Sequence, residues 1–251
     1  SELNEVKDQF STNRRTEIID WAGDMEDEDL IEREDMVVTI TSGGYIKRTP
    51  LADFRAQRRG GKGLAGMQTK DEDVVTTLFV ANTHTQLLFF SNDGMAYKLK
   101  TWRLPLGART AKGKAIVNIL PIQAGVSIAA VMPVDAPEEE WEKLQIIFST
   151  SSGDVRRNAL SDFTNVRSNG KIAMDLPEDI TLVNARIANE DDDVMLVTDS
   201  GRAIRFSTTA VRVFKGRKST GVRGIKLLGD DKVVSMSIIR HFEASPDERS
   251  A

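Results

Sequence analysis

Met36-Val37-Val38-Thr39-Ile40 is followed by Ser42-Gly43-Gly44 and then by Tyr45-Ile46-Lys47-Arg48, and this succession decides the reading of the chain. The first run is rich in β-branched residues, the middle is a turn, and the third returns as a second strand. The same succession comes back three times. Leu87-Leu88-Phe89-Phe90 leads through Asn92-Asp93-Gly94 to Met95-Ala96-Tyr97-Lys98. Ile146-Ile147-Phe148-Ser149 leads through Ser152-Gly153 to Asp154-Val155-Arg156-Arg157. Val194-Met195-Leu196-Val197 leads through Asp199-Ser200-Gly201 to Arg202-Ala203-Ile204-Arg205. The turn glycines Gly44, Gly94, Gly153 and Gly201 stand 50, 59 and 48 residues apart. The longest interval holds an acidic insertion, Asp135-Ala136-Pro137-Glu138-Glu139-Glu140, which reads as a solvated loop. Several short strands per period, with no unit able to bury its own sheet faces, predict an all-β, propeller-like array of four-stranded blades.

A second glycine trails each turn glycine by 19, 19, 17 and 20 residues: Gly63, Gly113, Gly170 and Gly221. Cations surround every one of them. Although the formal net charge is −4, Gly94–Asn118 and Gly201–Lys226 contain no acidic residue, and such segregation is the footprint of an anion-binding surface. Loops at one phase of a repeat fall along one rim, where a bent polyanion touches each in turn. The rim set expected from this spacing is Lys47, Arg48, Lys98, Lys100, Arg109, Lys112, Lys114, Arg156, Arg157, Arg167, Lys171, Arg202, Arg205, Arg217, Lys218 and Arg223. The third repeat is the weakest, because Asp162, Asn165 and Asn169 dilute its charge.

The fullest loop is the first, Gln57-Arg58-Arg59-Gly60-Gly61-Lys62-Gly63. Glycine lets a backbone turn sharply and bring N–H groups against an anion, and arginine grips two phosphate oxygens with a planar fork. This stretch resembles the complete Q-R-R-G-G-K-G box of the C-terminal domain of the DNA gyrase A protein. Phe10 to Thr16 is similar to the F-S-x-x-R-R-T segment by which that family leaves its breakage-and-reunion domain. The resemblance implies a β-pinwheel that wraps double-stranded DNA around a basic rim, without sequence preference, cofactor, metal or catalytic residue of its own. It makes the seven box residues, together with the rim cations, the DNA-binding set. It also implies partners, the gyrase A N-terminal domain and the gyrase B protein in an A2B2 holoenzyme that supercoils DNA negatively with ATP, and a cytoplasmic, nucleoid-associated location. The family usually has six repeats. Four are counted here, so the chain is expected to be a fragment of a six-bladed domain. Two alternatives stand beside this reading: the C-terminal domain of the topoisomerase IV A protein, which typically carries a degraded box, and a protein-interaction propeller, which would put apolar loop tips where this chain has arginine, lysine and glycine.

Composition closes other routes. There are no cysteines, and the two histidines, His84 and His241, are too far apart in sequence to suggest a zinc pair. No apolar run approaches the roughly 18 residues of a membrane span. Gly61-Lys62-Gly63-Leu64-Ala65-Gly66 satisfies G-x-G-x-x-G but lacks the strand before and helix after that a dinucleotide site needs. Gly107–Lys114 approximates a P-loop, yet Ala115 stands where Ser or Thr must bind magnesium. Tyr45 and Tyr97 follow hairpin turns and have no claim to a nucleophilic role. Trp21, Trp102 and Trp141 do not interleave with the basic loops, which favours duplex over single strands. Leu3, Val6 and Phe10 recur at helical spacing, and residues 1–35 hold 13 acidic against 4 basic residues. They read as a helical exit from a preceding domain plus an acidic linker anchored by Trp21, Met25, Leu30 and Ile31. Blades are expected over 36–80, 81–134, 144–188 and 189–239 within 36–242, with a polar loop or truncated end over 243–251.

Overall fold

The computed structural model describes residues 1–10, 27–54, 73–216 and 219–241. It divides into two units, Ser1–Glu32 and Arg33–Ala251. The described part of the first unit holds one α-helix, Glu2–Phe10, and a 3-10 turn, Asp27–Leu30. The expected apolar stripe of the helix is exposed, with Leu3, Val6 and Phe10 all accessible. Leu30 is 71% exposed.

The second unit is built from β1 (Asp35–Thr41), β2 (Tyr45–Pro50), β3 (Val75–Asn82), β4 (Gln86–Ser91), β5 (Met95–Lys100), β6 (Lys114–Ala115), β7 (Ile128–Val134) and β8 (Gln145–Thr150). It continues with β9 (Asp154–Ala159), β10 (Lys171–Ile172), β11 (Leu182–Ala188), β12 (Asp192–Thr198), β13 (Ala203–Ser207), β14 (Val222–Arg223) and β15 (Val233–Arg240). Each repeat opens with the anticipated hairpin. The amides of Gly44, Gly94, Gly153 and Gly201 donate to Thr41, Ser91, Thr150 and Thr198, each at 3.0 Å, and the glycines take φ values of +75°, +88°, +85° and +81°. The hydroxyls of Thr41, Ser91, Thr150 and Thr198 accept, at 3.2 Å, the amide that follows each glycine, which locks the turn. A 3-10 turn follows every second strand: Leu51–Asp53, Thr101–Arg103, Leu160–Phe163 and Thr208–Ala210.

The sheets are not drawn from single repeats. Their strand orders are β3-β1-β2-β6, β7-β4-β5-β10, β11-β8-β9-β14 and β15-β12-β13. Each two-residue strand therefore completes the sheet of the preceding repeat: Ala115 pairs with Tyr45, Lys171 with Ala96, and Val222 with Val155. Gly113 and Gly221 explain where the trailing glycines are needed. At φ +82° and +106°, a Cβ on them would sit 2.4 Å from the Ile46 carbonyl oxygen and 2.0 Å from that of Val155. The backbone they bring close is thus that of the preceding blade. The fourth sheet has three strands among the described residues, and a Cβ on Gly201 would meet nothing within 4 Å.

Neighbouring blades bury their faces against one another. Val38, Ile40 and Ile46 of the first meet Leu87, Phe89, Tyr97 and Val131 of the second. Leu88, Phe90 and Met132 meet Ile146, Phe148 and Ala185, with Phe148 and Phe163 edge-on to Phe90 at ring distances of 5.3 and 5.4 Å. Ile147, Val155 and Ala188 meet Val194, Leu196 and Met236. Fully buried Leu, Ile and Phe each contribute about 1.5–3 kcal/mol, so these interfaces fix the blades side by side. In the acidic insertion, Asp135, Pro137, Glu139 and Glu140 are exposed, and the chain then enters a 3-10 turn, Glu138–Lys143, whose Trp141 is fully buried in this core and donates to the Ala136 carbonyl at 2.9 Å.

Candidate nucleic-acid interface

The box Gln57–Gly63 and the pair Arg217 and Lys218 lie outside the described residues. The other cations expected on the rim fall into two groups, which sequence could not separate. Side chains alternate across a strand, so consecutive basic residues face opposite sides of a sheet, and both sides are covered between blades. Lys47, Arg156 and Arg157 are buried, at 1%, 0% and 4% exposure, which corrects their placing on the surface. Their donors turn inward. Lys47 Nζ donates to the carbonyls of Ala108, at 3.0 Å, and of Arg109. Arg156 donates to Asn158 Oδ1 at 2.8 Å, to the Ser219 carbonyl at 2.6 Å and to the Ala173 carbonyl. Arg157 reaches the carbonyls of Thr208 and Val211 at 3.0 and 3.3 Å, and Glu190 Oε1 at 3.0 Å. Burial without an ion pair among the described residues pulls the Lys47 ammonium below its usual range.

Arg48, Lys98, Lys100 and Lys171 are half-buried and similarly engaged. Arg48 Nε donates to the Leu104 carbonyl at 2.9 Å, and Lys100 Nζ to that of His84 at 3.1 Å. Lys98 pairs with Glu138 at 2.7 Å and donates to the Thr164 carbonyl, while Lys171 Nζ donates to the Asp162 carbonyl at 2.6 Å. Arg205 is bound to Asp193 at 2.7 Å, and His241 Nδ1 lies 3.0 Å from the same carboxylate. Burial pushes the Asp193 carboxyl up, but the hydrogen bonds and charges of His241 and Arg205 outweigh it and hold the group below the usual carboxylate range.

The remaining cations are accessible to a ligand, although Arg202 also donates to the Lys226 carbonyl at 3.2 Å. Lys114, Arg167, Arg202 and Arg223 are exposed, and Arg109 and Lys112 are half-buried. Lys112 Nζ sits 3.6 Å from the Tyr45 ring centroid, which orients it without neutralising it. Three exposed residues join this set although no role was expected of them individually: Arg103, Arg212 and Lys215. Arg103 and Arg212 lie over the rings of Trp102 and Phe214 at 4.7 and 4.3 Å. An aromatic residue one or two positions from arginine in an acid-free stretch was the available signal.

Four segments of the chain, residues 35–82, 85–135, 145–189 and 192–240, match the family described as DNA gyrase C-terminal domain, beta-propeller. The DNA gyrase A protein of Rickettsia bellii is 48% identical over 250 residues, covering 100% of this chain and 28% of that protein. Its counterpart in Granulibacter bethesdensis is 50% identical over 252 residues, covering 100% and 27%. The chain therefore spans little more than a quarter of the length of these relatives. Among solved structures, a C-terminal domain of DNA topoisomerase IV is similar with a TM-score of 0.69 at 28% identity, over 84% of this chain and 63% of that one. A DNA gyrase A C-terminal domain gives 0.62 at 26% identity, over 81% and 64%.

Proposed function

The chain belongs to the family of DNA gyrase C-terminal β-propeller domains, and from that premise we propose that it binds duplex DNA without sequence preference and wraps it along its basic loops. The observation that carries the reading is the repetition of acid-poor loops, each leaving its blade at a matching offset from a turn glycine and each presenting accessible cations: Arg109, Lys112 and Lys114, then Arg167, then Lys215 and Arg223. The box cations Arg58, Arg59 and Lys62, with Arg217 and Lys218, extend the series on sequence grounds. Lysine and arginine neutralise phosphates and release counterions, so affinity falls steeply with salt. For a rod with a persistence length of about 150 bp, a ~180° bend over ~40 bp costs on the order of 10 kcal/mol. No single loop offsets that, and a series on a rigid scaffold does.

In this reading the chain contributes no catalytic residue and takes no cofactor. Strand cleavage and ATP hydrolysis fall to its partners, the gyrase A N-terminal domain and the gyrase B protein in an A2B2 holoenzyme, acting in the cytoplasm on the nucleoid. Residues 1–35 hold the helical exit and acidic connection to the preceding domain, and 36–242 the array that touches DNA.

The test is a topology assay. Nicked circular plasmid is ligated with the chain at low and at high salt, and the linking-number shift is read on a gel. A positive shift at low salt that disappears at high salt, and is abolished by Arg58→Ala, Arg59→Ala and Lys62→Ala together, is the expected result. Binding without a shift refutes wrapping and favours the behaviour implied for topoisomerase IV domains, whose solved fold is shared. Absence of binding refutes the DNA reading altogether.

A further inference from the structure

Three consecutive residues of β2 are tied to the basic loop of the next repeat. Lys47 holds the carbonyls of Ala108 and Arg109, Arg48 that of Leu104, and Thr49 Oγ1 donates to that of Gly107 at 2.8 Å. The main chain reinforces them, with the Arg48 amide donating to Pro105 at 2.9 Å and the Gly107 amide to Arg48 at 3.0 Å. The same offsets from the turn glycine recur in β9. Arg156 holds the Ser219 carbonyl, Arg157 those of Thr208 and Val211, and Asn158 Nδ2 donates to Phe214 at 3.0 Å and Gly216 at 3.4 Å. The Phe214 amide returns a bond to Arg157 at 2.7 Å.

In β5 the corresponding residues are Tyr97, Lys98 and Leu99, and among the described residues only the Lys98 side chain of these donates to a carbonyl of the following repeat, that of Thr164. The loop beyond it is the charge-poor one, with Arg167 and Lys171. Polar struts thus accompany the loops that concentrate cations. The physical reason is direct. A short segment with several like charges repels itself and does not stay folded by its own contacts. A buried cation is costly where it lies unless it satisfies acceptors; for Lys47 these are the loop's own carbonyls, and for Arg156 they include the Ser219 carbonyl of the loop beside Asn158 and Ala173.

Resting on the reading that these loops bind DNA, we propose that Lys47 and Arg156, with Thr49 and Asn158, are positioning residues for DNA binding. They touch no phosphate. They hold the loop backbones so that Arg109, Lys112 and Lys114, and in the fourth repeat Lys215 and Arg223, meet the duplex at fixed spacing.

Lys47→Met tests this with two readouts, one of which needs no DNA. Trypsin cleavage after Arg109, Lys112 and Lys114 is followed by mass spectrometry below the melting transition, with Arg186 and Lys226 as internal controls. Loop cleavage is expected to rise at least about tenfold, the factor for losing a hydrogen bond from a charged donor, with the controls unchanged. The salt dependence of affinity for a random-sequence duplex is measured in parallel. Its slope is expected to fall by about 2 to 3, since one lost phosphate contact accounts for only about 0.9. Lys47→Arg should restore both, because Arg156 performs the same task at the equivalent offset. Thr49→Val, nearly isosteric, should move both in the same direction to a smaller extent, and serves if Lys47→Met does not fold. A slope change near 0.9 with unchanged cleavage overturns the proposal and makes Lys47 a direct contact. A released loop with unchanged DNA affinity overturns it differently, by removing that loop from the DNA surface.

Discussion

Gly113→Ala and Gly125→Ala form a matched pair that isolates the cost of threading one repeat across another. Both glycines have nearly the same left-handed backbone, φ +82° and +84°. A Cβ on Gly125 would meet nothing within 4 Å, whereas on Gly113 it would lie 2.4 Å from the Ile46 carbonyl oxygen and 2.9 Å from its carbon. The left-handed penalty, less the reduced freedom of the unfolded chain, leaves about 1 kcal/mol for Gly125→Ala. Gly113→Ala carries the same term plus the displacement of β6 from Tyr45 and Ile46, an overpacking cost of about 1–3 kcal/mol, for a total of about 2–4 kcal/mol. At about 2–4 °C per kcal/mol for a domain of this size, the melting shifts are about 2–4 °C and about 4–16 °C. Urea unfolding followed by far-ultraviolet circular dichroism, with calorimetry for Tm, measures both without DNA. Equal destabilisation of the two variants would refute the reasoning, since only the crossing distinguishes them.

Phe148→Ala, which empties a fully buried position beside Phe90, should cost about 3–5 kcal/mol in urea unfolding and leave the salt slope of DNA binding unchanged while the chain is folded. Lys114→Ala, at an exposed site, should do the reverse, lowering the slope by about 0.9 in a salt titration while stability stays within about 0.5 kcal/mol. Burial alone would raise the Asp193 carboxyl, but His241 and Arg205 hold it below the usual carboxylate range in the folded chain, so its stabilisation is present above the unfolded pKa of about 3.9 and is lost as pH falls through the lower folded pKa. Asp193→Asn should therefore lose stability at neutral pH and show a flatter decline of Tm below about pH 4; an unchanged acid limb would sink the assignment.

The blades were legible because their turns carry local chemistry. Gly44, Gly94, Gly153 and Gly201 sit after β-prone runs, and that spacing alone yields four hairpins. A further local signal went unused: a hydroxyl residue, Thr41, Ser91, Thr150 or Thr198, stands three positions before each of them and closes the turn. The exchange of strands was not legible, since Lys114–Ala115, Lys171–Ile172 and Val222–Arg223 are too short to show a period. Charge misled where it was internal. Lys47 and Arg156 read as rim residues because sequence records a cation, not the carbonyls it faces. The offset that separates them from the exposed Lys114 and Arg223 becomes meaningful only when the next repeat is seen to fold back over the strand.

That backward exchange also sets a timetable for synthesis. Ile46 waits for Lys114, 68 residues later, before its sheet has a fourth strand. At about 5–20 residues per second on the ribosome, this is a delay of about 3–14 s, far longer than hairpin formation takes. Each nascent blade therefore stands with one edge bare while the following repeat is made, and the array matures one unit behind the ribosome. A translational pause placed within a repeat would prolong the exposure of the blade before it, not of the one being made.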